Sequence, residues 1–390
     1  MYTYEILLAA SLILPPVMLY LLGRRLERGL DDLDAEARAG RGYLLSKITS
    51  GVSLAQMIAV QVLCLVFGDQ MVLLHAPTLA LFDLFAEIAQ ATAAWLSTLL
   101  VLVLIFAVLG ANLVLLMLPS MRLSRRILGL DEGAAPAHRR LSLRATLGSF
   151  VPMLLWLGIV FALPFEVMSS PTLIPLLLAA FLAVVYSAAP LQVAMLYPTE
   201  PMADDHPVAQ MAYALCRQAG VRVTGIRILK FGELKLANAM VSGLLPGFRR
   251  IYVSDTMLET FTLDEIRAVL AHEVGHVKRR HLLYYLVFAL AASPIIQLLN
   301  APLLSIIGAD WAGLSGAAGL LAYWGVVFTY ASRIFERQAD RYALEATGDL
   351  KTLQAALEKL ATVNGIVKKY SKWDIFNTHP AVSERIRAIS

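Results

Sequence analysis

Ala271-His272-Glu273-Val274-Gly275-His276-Val277 decides how this chain is read, together with Thr262-Leu263-Asp264-Glu265 just before it. Thr262 and Glu265 read as a capping box, and Ile266, Val269 and Leu270 follow at helical spacing, so the histidines lie well inside a helix. There His272 and His276 stand on one face, four residues apart, which suits a zinc ion. Between them Glu273 offers a carboxylate able to take a proton from a metal-activated water as that water attacks a carbonyl carbon. With 7 His and 29 acidic residues in 390 positions, such a His-Glu-x-x-His arises by chance about 0.01 times per chain.

Two further stretches complete a candidate site. Arg333-Ile334-Phe335-Glu336-Arg337-Gln338-Ala339-Asp340-Arg341-Tyr342-Ala343 is a helical run offering Glu336 as the third protein ligand that such zinc sites need. Asp340, one turn on, is spaced to accept the free ring N–H of a liganding histidine. Taken alone, the run also reads as an exposed helix laced with Glu/Arg and Asp/Arg pairs. In Asn377-Thr378-His379-Pro380 a histidine precedes proline and is held out of helical geometry. A lone surface histidine is the ordinary reading; the alternative is a donor to the oxyanion formed when water adds to a peptide carbonyl.

These residues resemble the membrane-embedded zinc metalloproteases that include the type 1 CAAX prenyl endopeptidases and the HtpX-like proteases, over roughly the C-terminal half. His272-Glu273-x-x-His276 followed by Lys278 and His281 looks more like the CAAX endopeptidase pattern. Glu336-Arg-Gln-Ala-Asp340 resembles the family's third-ligand helix, and Thr378-His379-Pro380 with Arg385 its C-terminal segment. The resemblance implies one Zn2+ per chain held by His272, His276 and Glu336, with Glu273, His379 and Arg385 catalytic and Asp340 supporting a ligand. Leu236-Ala237-Asn238-Ala239-Met240 is similar to the family's edge strand, which implies that Asn238 and Ala239 bind an extended peptide.

Composition excludes an ordinary soluble protein: 58% of residues are hydrophobic and 16% charged. Apolar runs long enough to cross a bilayer lie near 4–22, 52–74, 91–118, 146–164, 172–196, 282–307 and 312–331. Polar residues inside them, such as Gln56, Gln61, Asn112 and Gln297, either face an interior or bond helix to helix. The 33 Lys and Arg fall in 23–51, 119–145, 197–281 and 332–390, while the alternate connections contain none. Positive-inside logic therefore puts the N-terminus outside and the polar domain in the cytoplasm. The net charge of +4 needs no nucleic-acid partner, because topology and anionic headgroups account for the basic loops. Two cysteines, Cys64 and Cys216, fit neither a disulfide framework nor a thiolate site.

In the polar domain Asp204-Asp205-His206-Pro207 opens a helix through Ala219 that Gly220 ends. Val221–Val223, Ile226–Leu229 and Arg250–Ser254 read as short strands of an antiparallel sheet able to bind a peptide by strand addition. His276 lies six residues before Leu282, about 9 Å along a continuous helix, so the metal is expected at the inner headgroup layer.

The expectation is a mainly α, polytopic seven-span membrane protein with a small α+β zincin-like cytoplasmic catalytic domain. Residues 1–197 form a five-span region, 198–281 the catalytic domain, 282–331 spans six and seven, and 332–390 the third-ligand helix and C-terminal catalytic segment. The function expected is a zinc metalloendopeptidase of the bacterial inner membrane, acting on membrane-associated or unfolded protein substrates. The alternatives are a CAAX-type processing protease for one, possibly lipidated, substrate and a non-catalytic metal-dependent sensor or scaffold.

Overall fold

Apolar runs whose backbone must satisfy itself fold as helices, and among the described residues the first unit, Met1–Gly129, holds three: α1 (Thr3–Glu27), α2 (Ala35–Phe67) and α3 (Ala93–Ile127). The computed structural model describes residues 3–67, 93–130, 133, 135–149, 151–163, 167, 173–308, 312–366 and 380–389. Pro15 and Pro16 sit inside α1 and have no N–H for the carbonyls of Ser11 and Leu12 one turn earlier. Neighbouring helices fill the gap: Gln56 of α2 donates to Ser11 O at 2.7 Å and Asn112 of α3 to Leu12 O at 2.7 Å. These two polar residues therefore bond helix to helix. Gln61's side chain and the connection near 75–90 lie outside the described residues. Leu19, Leu30, Leu45, Leu116 and Leu123 form the unit's core.

The second unit, Leu130–Ser390, opens with α4 (Ala135–Ser149), α5 (Val151–Ala162), α6 (Leu173–Ser187) and α7 (Ala189–Leu196). The run expected as one span over 172–196 is bent by 54° between α6 and α7. Pro190 in the first turn of α7 cannot bond the Tyr186 carbonyl, which accepts instead from the Leu244 N–H at 3.1 Å.

The polar part follows with β1 (Thr199–Pro201), α8 (Pro207–Ala219), β2 (Ile226–Leu229), β3 (Ala239–Ser242) and β4 (Arg250–Ser254). The strand order is β1-β2-β4-β3, with β2 and β4 parallel and the other pairs antiparallel, so the sheet is mixed where an antiparallel one was expected. Val221–Val223 is irregular and not a strand. Gly220 ends α8 in the left-handed region (φ 67°), and the Val221 N–H turns back to Cys216 O at 2.8 Å, so it joins the helix cap and no ladder. His206 caps α8, its Nδ1 accepting from the Val208 N–H at 3.2 Å.

Among the described residues, helices α9 (Asp255–Thr260), α10 (Leu263–Lys278), α11 (His281–Ile307), α12 (Ala312–Ala322), α13 (Thr329–Thr347), α14 (Leu350–Val363) and α15 (Val382–Ile389) follow, with a π-helical segment, Tyr323–Phe328, joining α12 to α13. Ile226, Ile251 and Val253 of the sheet pack with Val208 and Ala212 of α8, Ile266 and Leu270 of α10, and Leu353 and Leu357 of α14. Among the described residues, His281–Ile306 is by itself long and apolar enough to cross a membrane.

Candidate metal site

Helix α10 is fixed at its start by the capping box: Thr262 Oγ1 accepts from the Glu265 N–H at 3.2 Å, and Glu265 accepts from the Thr262 N–H at 2.8 Å. Its buried face carries His272 and packs on α13. The two helices approach closely because Gly275 stands where they cross. A Cβ there would lie 3.0 Å from Tyr342 Cδ1 and 3.3 Å from Ala339 Cα. That approach brings Glu336 of α13 to the histidine pair. Gly275 was quoted in the sequence without a role; a glycine inside a helix, costing about 1 kcal/mol relative to alanine, was the signal.

The Nε2 atoms of His272 and His276 lie 3.1 Å apart, and Glu336 places Oε2 3.6 Å from the first and Oε1 3.6 Å from the second. One donor atom from each residue falls within 4.8 Å of the others. Ligands about 2.0–2.1 Å from a tetrahedral zinc stand about 3.3 Å from one another, so the three edges fit such an ion. The charges fit as well. Glu336 and Asp340 are 2% and 0% exposed, and among the described residues the arginine paired with them is the half-buried Arg385, so the site holds an excess of negative charge that a divalent cation would balance.

Asp340 lies below this triad. Its carboxylate accepts from His272 Nδ1 at 2.8 Å and, through both oxygens, from Arg385 Nη2 at 2.6 Å and Nε at 2.9 Å. Burial opposes the charge on Asp340, but Arg385 and the His272 bond outweigh it and hold the carboxyl well below the usual range. With the His272 proton on Nδ1, the lone pair of Nε2 points toward Glu336. The contact between Arg385 Nη2 and His272 Nδ1, 3.2 Å, then joins two donors and is no hydrogen bond. Arg385, expected as a catalytic residue, is engaged with Asp340 and stands 3.6 Å from Glu336.

Glu273 points to the sheet side of α10, where the Val241 N–H of β3 donates to its carboxylate. Burial first, and Glu336 in addition, push its pKa up, the direction a proton-accepting group near neutrality requires. His276 is driven the other way, down to about 3, by burial and then by His272, so its ring is neutral and open to a metal. β3 is an edge of the sheet. Ala239 opens it and Asn238 precedes it: Asn238 is exposed, and its N–H and C=O pair with Ser254 at 2.9 and 2.8 Å. The approach to this edge is held by a residue the sequence did not reveal. Asn364, after α14, accepts from the Ala237 N–H at 2.9 Å and donates to its C=O at 2.7 Å. His379 lies outside the described residues.

The break between α10 and α11 changes the distance expected from the membrane. Arg280 adopts the left-handed region (φ 59°), so the two helices are not one rod and a rise of 1.5 Å per residue does not carry across. Cys216 is free and buried, its thiol pushed up to about 11 by burial, which makes it inert.

Residues 202–390 match Peptidase family M48. Over 209 residues the chain is 29% identical to the Protease HtpX homolog of Aeropyrum pernix, spanning 48% of this chain and 62% of that one. Over 198 residues it is 29% identical to Protease HtpX of Legionella pneumophila strain Lens, spanning 48% and 68%. The crystal structure of S. mikatae Ste24p superposes with a TM-score of 0.64 at 19% identity, covering 100% of this chain and 99% of that one, so the fold is shared. The part of the chain that is similar to the M48 metallopeptidases is the part that holds the His272, His276 and Glu336 cluster.

Proposed function

We propose that this chain is a membrane-embedded zinc metalloendopeptidase that hydrolyses peptide bonds of membrane-associated or unfolded proteins. One observation carries the reading: two imidazole nitrogens and a carboxylate converge at zinc-ligand spacing, with a half-buried carboxylate, Glu273, beside His272 on the same helix. When bound, the ion would supply Lewis acidity that lowers the pKa of water and polarises the scissile carbonyl. His272, His276 and Glu336 would hold it, and Asp340 keeps the His272 proton on Nδ1. Glu273 takes a proton from the attacking water and returns it to the leaving amine. Arg385 acts through Asp340 and Glu336, balancing their charge, and His379 donates to the developing oxyanion. A peptide lies extended along β3, beside Asn238 and Ala239, by strand addition.

The membrane region comprises 1–197 and 282–331 in seven spans, and the catalytic chain comprises 198–281 with 332–390. Basic residues confined to alternate connections put the catalytic part in the cytoplasm of a bacterial inner membrane. The experiment is metal content and proteolysis of an unfolded test protein in detergent, wild type beside Glu273→Gln. Equal zinc with hydrolysis at least 100-fold slower supports the reading; unchanged hydrolysis overturns the role of Glu273, and a wild type without stoichiometric zinc overturns the ligand set.

A further inference from the structure

A neutral imidazole that ligates through Nε2 must carry its proton on Nδ1 and needs an acceptor there. His272 has Asp340. His276 instead has another imidazole: its Nδ1 lies 2.9 Å from Nδ1 of His281. A nitrogen-to-nitrogen contact has no inherent direction, because either ring can donate. The direction comes from the far side of His281, whose Nε2 lies 2.9 Å from Oε1 of Gln338. An amide oxygen only accepts. His281 therefore bears its proton on Nε2 and turns the Nδ1 lone pair to His276, which donates from Nδ1 and leaves its own Nε2 open toward His272 and Glu336.

We propose that His281 and Gln338 are positioning residues that set the tautomer of His276 and so its competence to bind zinc. The proposal rests on His276 being a zinc ligand. His281 is completely buried and stacked on Phe335, ring centroids 4.4 Å apart and planes 10° apart, so its orientation is fixed. Gln338 lies on α13 two residues after Glu336. The helix that brings the carboxylate ligand thus also brings the acceptor that orients an imidazole ligand. Asp340 supports His272 with a charged acceptor and Gln338 supports His276 with a neutral one, so the relay adds no charge to the site.

Gln338 is exposed and can be changed without disturbing the core. Gln338→Glu keeps an acceptor. Gln338→Lys offers only donors, so His281 must accept at Nε2, place its proton on Nδ1 and push that of His276 onto Nε2. Gln338→Met removes the partner. The assay is the zinc dissociation constant of the full chain in detergent, by competition with a chromophoric chelator. The expectation is Glu within about twofold of wild type, Lys weaker by about 10–100-fold and Met between them. His281→Phe, which keeps the stack and deletes both nitrogens, should resemble Lys; if it does not fold, the Gln338 series decides.

Because lysine also adds charge, the titrations are repeated at high salt, which screens an exposed charge but leaves a tautomer in place. A loss that disappears in salt overturns the relay. In the zinc-loaded wild type, 15N spectra should show protonated Nδ1 on His276 and protonated Nε2 on His281; the reverse on His281 overturns the proposal. Equal affinity for the Glu and Lys variants, with zinc bound normally by wild type, overturns the relay alone. A wild type that binds no zinc overturns the ligand assignment beneath it.

Discussion

Asp340→Asn tests how the site is held. Asp340 is wholly buried and receives three hydrogen bonds, at 2.8 Å from His272 and at 2.6 and 2.9 Å from Arg385. Asparagine has the same shape but one acceptor atom and one donor atom. With the asparagine oxygen at the Oδ1 position, which accepts from both His272 Nδ1 and Arg385 Nη2, the NH2 meets Arg385 Nε and that hydrogen bond is lost. If it flips, the oxygen keeps only Arg385 Nε, and the NH2 faces Arg385 Nη2 and His272 Nδ1 and shifts that ring's proton to Nε2, where the metal would bind; Arg385 also stands 3.6 Å from Glu336. Removing one partner of a buried ion pair costs about 3–5 kcal/mol, and Glu336 offsets part of that, so about 3 kcal/mol is expected. At roughly 2–4 °C per kcal/mol for a domain of this size, the melting midpoint should fall by about 6–12 °C. Zinc affinity should drop about 10–100-fold. Thermal unfolding of metal-free protein and chelator competition read the two effects separately. A midpoint within 1 °C and a zinc constant within twofold of wild type would refute the reasoning.

Gly275→Val would force bulk into the crossing where even a Cβ meets Tyr342 at 3.0 Å; Glu336 should withdraw from the histidines and zinc affinity fall at least tenfold, read by the same competition. For metal-free protein, stability should decline as pH falls from 6.5 toward 3. His276 is driven down to about 3 by burial and then His272, so in that window the unfolded chain binds the extra proton. Asp340, held below its usual range, adds a loss below about 3.8. His272 is pulled down by burial and by Arg385, but Asp340 and Glu336 raise it on balance; its contribution is complete below 6.5 and leaves that window unchanged. Denaturant midpoints across pH for wild type and His276→Gln measure this, and equal slopes would contradict it.

What was legible was local. The capping box and His272-Glu273-x-x-His276 specify one helix and one face through contacts within two turns, so no distant information is needed. Glu336 and Asp340 were legible as candidates because i and i+4 spacing places them together; that they meet His272 depends on Gly275. Gln56 and Asn112 illustrate the limit. Their type was read, but the carbonyls freed by Pro15 and Pro16 appear only when three helices pack. The strands went the same way. β1 is three residues long and ends in Pro201, too short to show alternation, and the parallel pairing of β2 with β4 is a non-local choice. Val221–Val223 alternates like a strand, yet its first N–H is taken by the helix cap.

The π-helical segment Tyr323–Phe328 has a consequence for the site. Each residue turns a helix by about 100°, and a π turn accommodates one extra residue within an otherwise α-helical path. Upstream, the helix is tied to α11: Tyr323 donates to Phe288 O at 2.8 Å, and a Cβ on Gly319 would stand 3.0 Å from Ile296. Downstream, Glu336, Ala339, Asp340 and Ala343 are buried, while Arg337 and Arg341 are exposed. Both faces are correct together only because the segment absorbs the difference in phase. Deleting Val327, which is 47% exposed, should convert the segment to regular helix and rotate one half by about 100° against the other. If the upstream half holds its place, Glu336 leaves the histidines and an exposed neighbour takes its position. Zinc affinity should then fall more than for Asp340→Asn, because a ligand itself is lost. A Val327 deletion that folds and retains wild-type zinc affinity would show that the π segment has no part in aiming the third ligand.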